Sequence, residues 1–326
     1  MTVRLSVTRA SRMRELFLAL LVGSIITAVA GAALTPVPVK TTRHNEVGPS
    51  AGGDWVAWSR SRERRVSPFD LWAQHAADPA FKVNRKGTQA YGGGIDGTRL
   101  LYQLIRGQYA TASDLRLFDL QTRRLKALPA GVNTKNWECC GTISGDWILF
   151  SRGRAYGPAT QRVLLRNLVT GEQRVLDHLR NRYGLLSAGQ ISGNYAVWAR
   201  CDPYPYCVVY RYDLTTASAT ALPTLPAKVA YSPSVNPYGT VYYLRSTRGC
   251  GRSVELVKQA LLGLPEVLTS LPQGRDADIT YASTGPPDPP SGIVTTHVYY
   301  DTVLCRRQTW DIYRVDDLDR LPPPNR

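Results

Sequence analysis

Large apolar residues do not recur along this chain at the three-to-four spacing of a helix. They alternate with small or polar residues, or run together for five to eight positions, and each run follows a glycine. "GGDWVAWS" at 52–59, "SGDWILFS" at 144–151 and "SGNYAVWA" at 192–199 are copies of one pattern. The glycines that open such runs are Gly53, Gly97, Gly145, Gly193, Gly239 and, in weaker form, Gly292, at spacings of 44, 48, 48, 46 and 53 residues. The runs themselves, "DWVAWS", "TRLLYQ", "DWILFS", "NYAVWA", "TVYYLR" and "IVTTHVYY", are rich in aromatic and β-branched residues, which predicts strands.

A second strand follows each run at a steady offset. "LRLFDLQTRRLKAL" (115–128), "LLRNLVTGEQRVL" (164–176) and "VYRYDLTTASATAL" (209–222) align without gaps. Asp119, Asn167 and Asp213 head the same turn in the three copies, where a short side-chain oxygen accepts backbone N–H groups. Turn formation, not catalysis, is expected of them. Upstream of each glycine lies a segment of small residues, such as "YGGGIDG" (91–97), "CCGTISG" (139–145) and "SAGQISG" (187–193). Small side chains suit an innermost strand, where several sheets crowd around one axis. Each repeat reads as four strands, A to D, in about 46 residues.

Six such repeats fit residues 45–315. The expected fold is all-β, a six-bladed β-propeller of four-stranded antiparallel blades. The last repeat offers strand A near 278–283, B at 293–300 and C at 309–315, and the proline-rich "LDRLPPPNR" is a poor fourth strand. "VPVKTTR" (37–43) is expected to supply it from the N-terminal side and so close the ring. The division is then 1–34 as a signal peptide or membrane anchor, 35–318 as the propeller and 319–326 as a proline-rich tail.

In "ISGDWILF", "ISGNYAVW" and the "YDLTT" and "NLVTGE" turns the chain resembles the TolB-like, PD40-type six-bladed propellers over almost all of residues 35–318. The resemblance implies an architecture and no particular activity. Ser-Gly-Asp or Ser-Gly-Asn stands where that family usually has Ser-Pro-Asp-Gly, and the extra N-terminal α/β domain of TolB has no counterpart. Some propellers of this kind are lyases or cyclases that hold a metal in the central channel with histidines or carboxylates.

The N-terminus sets the compartment. "MTVRLSVTRASRMRE" carries four arginines, and Leu16–Leu34 carries no charge, the n-region and h-region of an export signal with Ala28-Val29-Ala30 as a small-x-small cleavage site. Nineteen uncharged residues also suffice to span a bilayer, so cleavage and retention as an anchor both stand. Either reading places the remainder outside the cytoplasm, extracellular or in the cell envelope. The six cysteines, Cys139, Cys140, Cys201, Cys207, Cys250 and Cys305, are an even number in an exported chain. With four histidines scattered singly, disulfides are favoured over zinc. Cys201 and Cys207 bracket "DPYPY" and are expected to pair. Cys250 and Cys305 fall in loops of neighbouring blades and are expected to bridge them. Cys139 and Cys140, placed at the start of strand A of blade 3, are open between a vicinal disulfide and two thiols.

The formal charge is +15, and 33 of the 40 basic residues are arginines. Many fall in the loops between strands B and C, on the face that carries the cysteines: Arg60, Arg62, Arg64, Arg65, Arg152, Arg154, Arg245, Arg248, Arg306 and Arg307. Tyr204 and Tyr206 lie among them. Arginine contacts carboxylate and phosphate bidentately and tyrosine stacks on flat or sugar surfaces. An arginine-rich composition gives the same charge with no binding role. No GxSxG elbow, HExxH pair or sialidase Asp-box is present, and no nucleic-acid motif accompanies the charge. The expected function is a monomeric, non-catalytic binding module at the cell envelope, without cofactor or metal. Its partner would be an envelope protein or an anionic cell-wall polymer. The alternative is a channel-centred lyase or hydrolase, for which Asp96 and Asp278 are the acids near the inner strands.

Overall fold

The computed structural model describes residues 34–61, 68–106, 112–153, 160–181, 183–204, 206–223, 229–246, 253–271, 275–286, 293–304 and 310–320. Every regular element among them is a strand. After β1 (Val37–Lys40) come β2 (Asn45–Gly52), β3 (Trp55–Ser61), β4 (Asp70–His75) and β5 (Phe81–Lys82). The second unit is β6 (Gln89–Asp96), β7 (Arg99–Arg106), β8 (Ala112–Asp119) and β9 (Arg124–Lys126), and the third is β10 (Trp137–Ser144), β11 (Trp147–Gly153), β12 (Gln161–Asn167) and β13 (Gln173–Leu179). The fourth holds β14 (Leu185–Ser192), β15 (Tyr195–Cys201), β16 (Cys207–Asp213) and β17 (Ser218–Ala221). β18 (Val229–Val235), β19 (Val241–Ser246), β20 (Val254–Gln259) and β21 (Glu266–Ser270) form the fifth, followed by β22 (Arg275–Thr284), β23 (Ile293–Leu304) and β24 (Trp310–Arg320).

Within each unit the strands pair antiparallel in chain order, and a single parallel contact, Trp137 to Ser113, ties the second and third units together. The last sheet runs β1-β24-β23-β22, so the N-terminal strand lies antiparallel on the outer edge of β24. It spans 37–40, shorter than the segment proposed from sequence. β24 continues to Arg320, into the stretch read as tail, because Lys258 of the neighbouring unit holds both Asp317 and Asp319. This is the β-propeller architecture the repeats predict.

The repeated glycines make the A–B hairpins. Gly53, Gly97, Gly145 and Gly193 have φ between 53° and 57°, and the residue after each is not left-handed. That is the φ signature of a type II′ turn, which asks for glycine at its first central position. Asp119, Asn167 and Asp213 take the role expected of them, accepting from the backbone N–H groups of Thr122, Thr170 and Thr215 at 2.8 Å each.

The apolar runs are continuous because the middle strands are buried on both faces. Leu100 faces the first unit, packing with Ala57, Leu71 and Ala73, while the next residue, Leu101, faces the third with Ile143, Ile148 and Phe150. Leu149 points the other way again, onto Leu186, Ala196 and Trp198 of the fourth. Further clusters join units four and five through Val209 and Tyr243, and five and six through Leu256 and Val298. A small one around Ala51, Tyr281 and Tyr299 joins unit six back to unit one. Each cluster straddles two units.

At the axis the packing is tighter still. A Cβ on Gly93 would stand 2.2 Å from the Leu101 carbonyl oxygen and 2.4 Å from that of Gly141, and one on Gly189 would stand 2.2 Å from the Pro233 carbonyl oxygen. Neighbouring inner strands touch backbone to backbone there. In all six units the A strand breaks register with B near its middle: after Val47, Tyr91, Cys139, Ala188, Tyr231 and Ala277, two A residues oppose one B residue. These are β-bulges, which add twist and turn side chains out of alternation. Two side chains then cross the axis. Tyr281 Oη accepts from the Ile95 N–H at 3.1 Å and donates to the Ile95 carbonyl at 3.2 Å, tying unit six to unit two. Gln190 bonds both the N–H and the carbonyl of Ala282, at 2.9 and 2.7 Å, tying unit four to unit six. Replacing Tyr281 with Phe is expected to lower the unfolding free energy by about 1–3 kcal/mol at unchanged urea m-value, since the Ile95 backbone groups stay buried without the hydroxyl.

Candidate functional site

The bulges decide what faces the channel. Gly48, Gly92, Cys140, Gly189, Ser232 and Asp278 occupy the bulge in successive units. Gly48, Cys140 and Ser232 hold φ of 62°, 58° and 50°. Glycine adopts that conformation freely, whereas cysteine and serine are strained in it. A chamber of about 210 Å³, lined by Gly92, Cys140, Gln190, Ser232 and Tyr281 among others, lies on the axis. Outside it, between units four, five and six, a mouth cavity of about 590 Å³ is lined by Tyr204, Tyr231, Asp276, Asp278 and Trp310. Ser187 and Ser232 line both spaces.

The electrostatics of the mouth are acidic among the described residues. Asp278 is open to the cavity on one side and enclosed by protein on the others, and burial, followed by the charge of Asp276, raises its pKa. Its backbone N–H donates to the buried carboxylate of Asp301 at 3.2 Å, which also accepts from Gly48 at 3.0 Å. Burial first, and these acids after it, push the Tyr231 phenol far up, and its hydroxyl donates to the Ala277 carbonyl at 3.1 Å. Asp96, weighed with Asp278 as a channel acid, is elsewhere: it accepts from Arg99 and from the Gly145 N–H, locking two hairpins together. Among the described residues no group of three or more His, Cys, Asp or Glu is placed to hold a metal ion.

Cys201 and Cys207 stand directly opposite each other at the ends of β15 and β16 and are joined by a disulfide, as their spacing predicts. The bridge forms part of the mouth wall. Tyr204 and Tyr206, in the loop it closes, are 56% and 70% exposed. Cys139 and Cys140 are thiols, and they lie in the middle of β10, not at its start, because the strand begins at Trp137. That shift of two residues carries Cys140 from the mouth into the channel.

The three candidate arginines within the described residues have partners inside the fold. Arg60 donates through Nε and Nη2 to Glu46, at 3.1 and 2.9 Å, and the Glu46 side chain is fully buried. Arg152 Nε reaches the equally buried Glu138 at 2.9 Å, with Nη2 on the carbonyls of Gly131 and Val132. Arg245, 6% exposed, bonds Glu255 at 2.8 Å. Arg62, Arg64, Arg65, Arg154, Arg248, Arg306, Arg307, Cys250 and Cys305 lie outside the described residues. Glu46 and Glu138 were not among the sequence candidates. Their signal was present: each precedes its arginine by 14 residues in two copies of the same repeat. Asp276 was missed too; it holds the register position of Glu46 and Glu138 in its own unit, but pairs with Val303 and not with an arginine.

Comparison with known proteins gives fold alone. No family model matches the chain, and no curated protein matches it. Among solved structures, a TolB-assigned protein of Agrobacterium tumefaciens shares 12% identity over 86% of this chain and 92% of its own, with a TM-score of 0.54. An oligogalacturonate lyase in complex with manganese shares 11% over 85% and 83%, at 0.50. TolB from Acinetobacter baumannii shares 13% over 76% of this chain, at 0.47, and the chain spans 60% of that protein's length. At these identities the likeness establishes a propeller of the kind found in TolB and in enzymes, and no activity.

Two predictions separate internal from external roles. Arg152→Ala strands the buried Glu138 carboxylate and is expected to destabilise the fold by about 3–5 kcal/mol in urea titration. A variant of unchanged stability would return Arg152 to the surface. Asp278→Asn is expected to raise the urea midpoint at pH 7. A carboxyl whose folded pKa is raised binds its proton more tightly folded than unfolded, so stability falls as pH rises through and above its ordinary range. The gain should vanish below about pH 4, where both states are protonated.

Proposed function

We propose that this chain is an exported, non-catalytic propeller that docks an envelope protein at the channel mouth. The observation that carries the reading is the mouth itself: an open cavity of about 590 Å³ walled by Trp310, Tyr231 and Tyr204, with a disulfide-closed loop at its edge. Aromatic anchors around a pocket are what protein interfaces are built on; Tyr204 is exposed in the loop, and Tyr231 and Trp310 stand half-buried on β18 and β24. The N-terminal segment supplies the reason to place the partner outside the cytoplasm.

The acidic lining and the internal partners of Arg60, Arg152 and Arg245 favour a protein over an anionic polymer. A polymer-binding face would rest on the loop arginines outside the described residues. The channel-centred lyase or hydrolase has less support, because no three His, Cys, Asp or Glu side chains among the described residues are grouped to hold a metal ion.

Retention of the oxidised chain on a purified anionic wall polymer across a salt series is the deciding measurement. The docking reading predicts no retention at low salt, together with crosslinked adducts from a photoreactive residue at position 206 that disappear in a Tyr204→Ala, Trp310→Ala variant. Retention falling steeply with salt would overturn it, since that slope is the mark of counterion release from a polyanion.

A further inference from the structure

Successive residues of an extended strand point to opposite faces, so adjacent cysteines in a strand ordinarily keep their sulfurs apart. Cys139 and Cys140 do not. Cys139 pairs in register with Ser151, and the next residue opens the bulge at φ 58°. That rotation brings the second side chain round to the first, and the two Sγ atoms lie 2.8 Å apart, inside van der Waals contact. The corresponding residue of the first unit is Gly48, at φ 62°. A glycine would hold this backbone without strain, and cysteine holds it with strain. A strained residue on a cavity wall points to use rather than to folding.

The two thiols are not equivalent. Cys140 lines the axial chamber and faces Ser187 and Asp278. The hydrogen bond from Cys139 lowers its pKa; burial and Asp278 oppose this, and Ser187 adds to it. The same thiol–thiol contact, then burial, then the Cys140 charge, push Cys139 well up, with Glu138 acting in the same direction. The chamber borders the mouth cavity, since Ser187 and Ser232 line both.

We propose that Cys139 and Cys140 form a redox-active dithiol, reached through the channel mouth, that exchanges with low-molecular-weight disulfides. Cys140 thiolate attacks one sulfur of the small disulfide, whose S–S bond breaks, forming a mixed disulfide and releasing the first small thiol. Cys139, losing its proton, attacks Cys140 Sγ, forming the Cys139–Cys140 bond and expelling the second small thiol. Two protein thiols are oxidised, one external disulfide is reduced, and the two protons leave on the released thiols. Cys140 is the attacking sulfur and Cys139 the resolving one.

The test uses the full chain, folded and in thiol-free buffer, treated with oxidised glutathione or with dithiothreitol and read by peptide mapping. The expected result with oxidised glutathione is a peptide spanning 139–140 that is two hydrogens lighter and refuses alkylation. After dithiothreitol that peptide accepts two alkyl groups, and the folded protein binds one phenylarsine oxide across the pair. Cys139→Ser should trap glutathione on Cys140, whereas Cys140→Ser should lose the adduct, because Cys140 and not Cys139 lines the chamber. An unchanged urea midpoint shows that a variant has kept its fold. A wild-type pair that stays two thiols in oxidised glutathione overturns the proposal, whatever the variants do. Equal labelling of the two single cysteines in folded variants overturns the assignment of attacking and resolving sulfur.

Discussion

The inner strands of neighbouring units pack against one another, and the closeness of that packing governs the rest of the molecule. Where Gly93 lies against Gly141 and Gly189 against Pro233, backbone meets backbone with no space for a Cβ. A strand in that position cannot carry the large alternating side chains found in its neighbours, and it cannot stay flat. Each one bulges after its third residue, or in β14 its fourth, which lets it twist while the rest of the strand keeps pairing with strand B. The large residues are displaced outward into strands B and C, where both faces are buried between adjacent sheets. The small-residue segments, the apolar runs and the order in which they occur are consequences of one geometric constraint.

The same constraint makes the channel chemically selective. A bulge turns one residue per unit toward the axis irrespective of whether its neighbours face the core. Where that residue is glycine, as at Gly48, Gly92 and Gly189, the wall is plain backbone. Where it is Cys140 or Ser232, a thiol or hydroxyl is held on the chamber wall in a strained conformation, and where it is Asp278 a carboxylate lines the mouth. Ser232 and Asp278 line the mouth cavity, and Cys140 lines the chamber next to it. Tyr281 and Gln190, crossing the axis to Ile95 and Ala282, make the inner part of the channel a bonded core and leave the polar side chains on the side of the mouth.

The arginines show how a surface property read from composition can be an interior one. Glu46 and Glu138 sit on A strands with side chains fully out of water, and Arg60 and Arg152, directly across on the B strands, neutralise them. The positive charge counted in those loops is therefore partly cancelled a few ångströms away. Breaking such a pair is costly because the remaining carboxylate cannot reach water.

What the sequence by itself determined is the repeating unit: strand runs from their alternation, hairpins from glycines that must be left-handed, turns from Asp119, Asn167 and Asp213, and the local pairing of Cys201 with Cys207. All of these depend on residues close together in the chain, so the pattern carries the physics. The N-terminal strand on β24 was also legible, because the last repeat lacked a fourth strand and only one other segment matched. Which residues face the axis was decided by the tertiary structure alone. A bulge shifts alternation by one residue, and nothing in "CCGTISG" or "RDADIT" marks where the shift falls. Only the contact between inner strands of different units places Cys140 and Ser232 on one chamber and Ser232 and Asp278 on one mouth cavity, and only it takes Asp96 away.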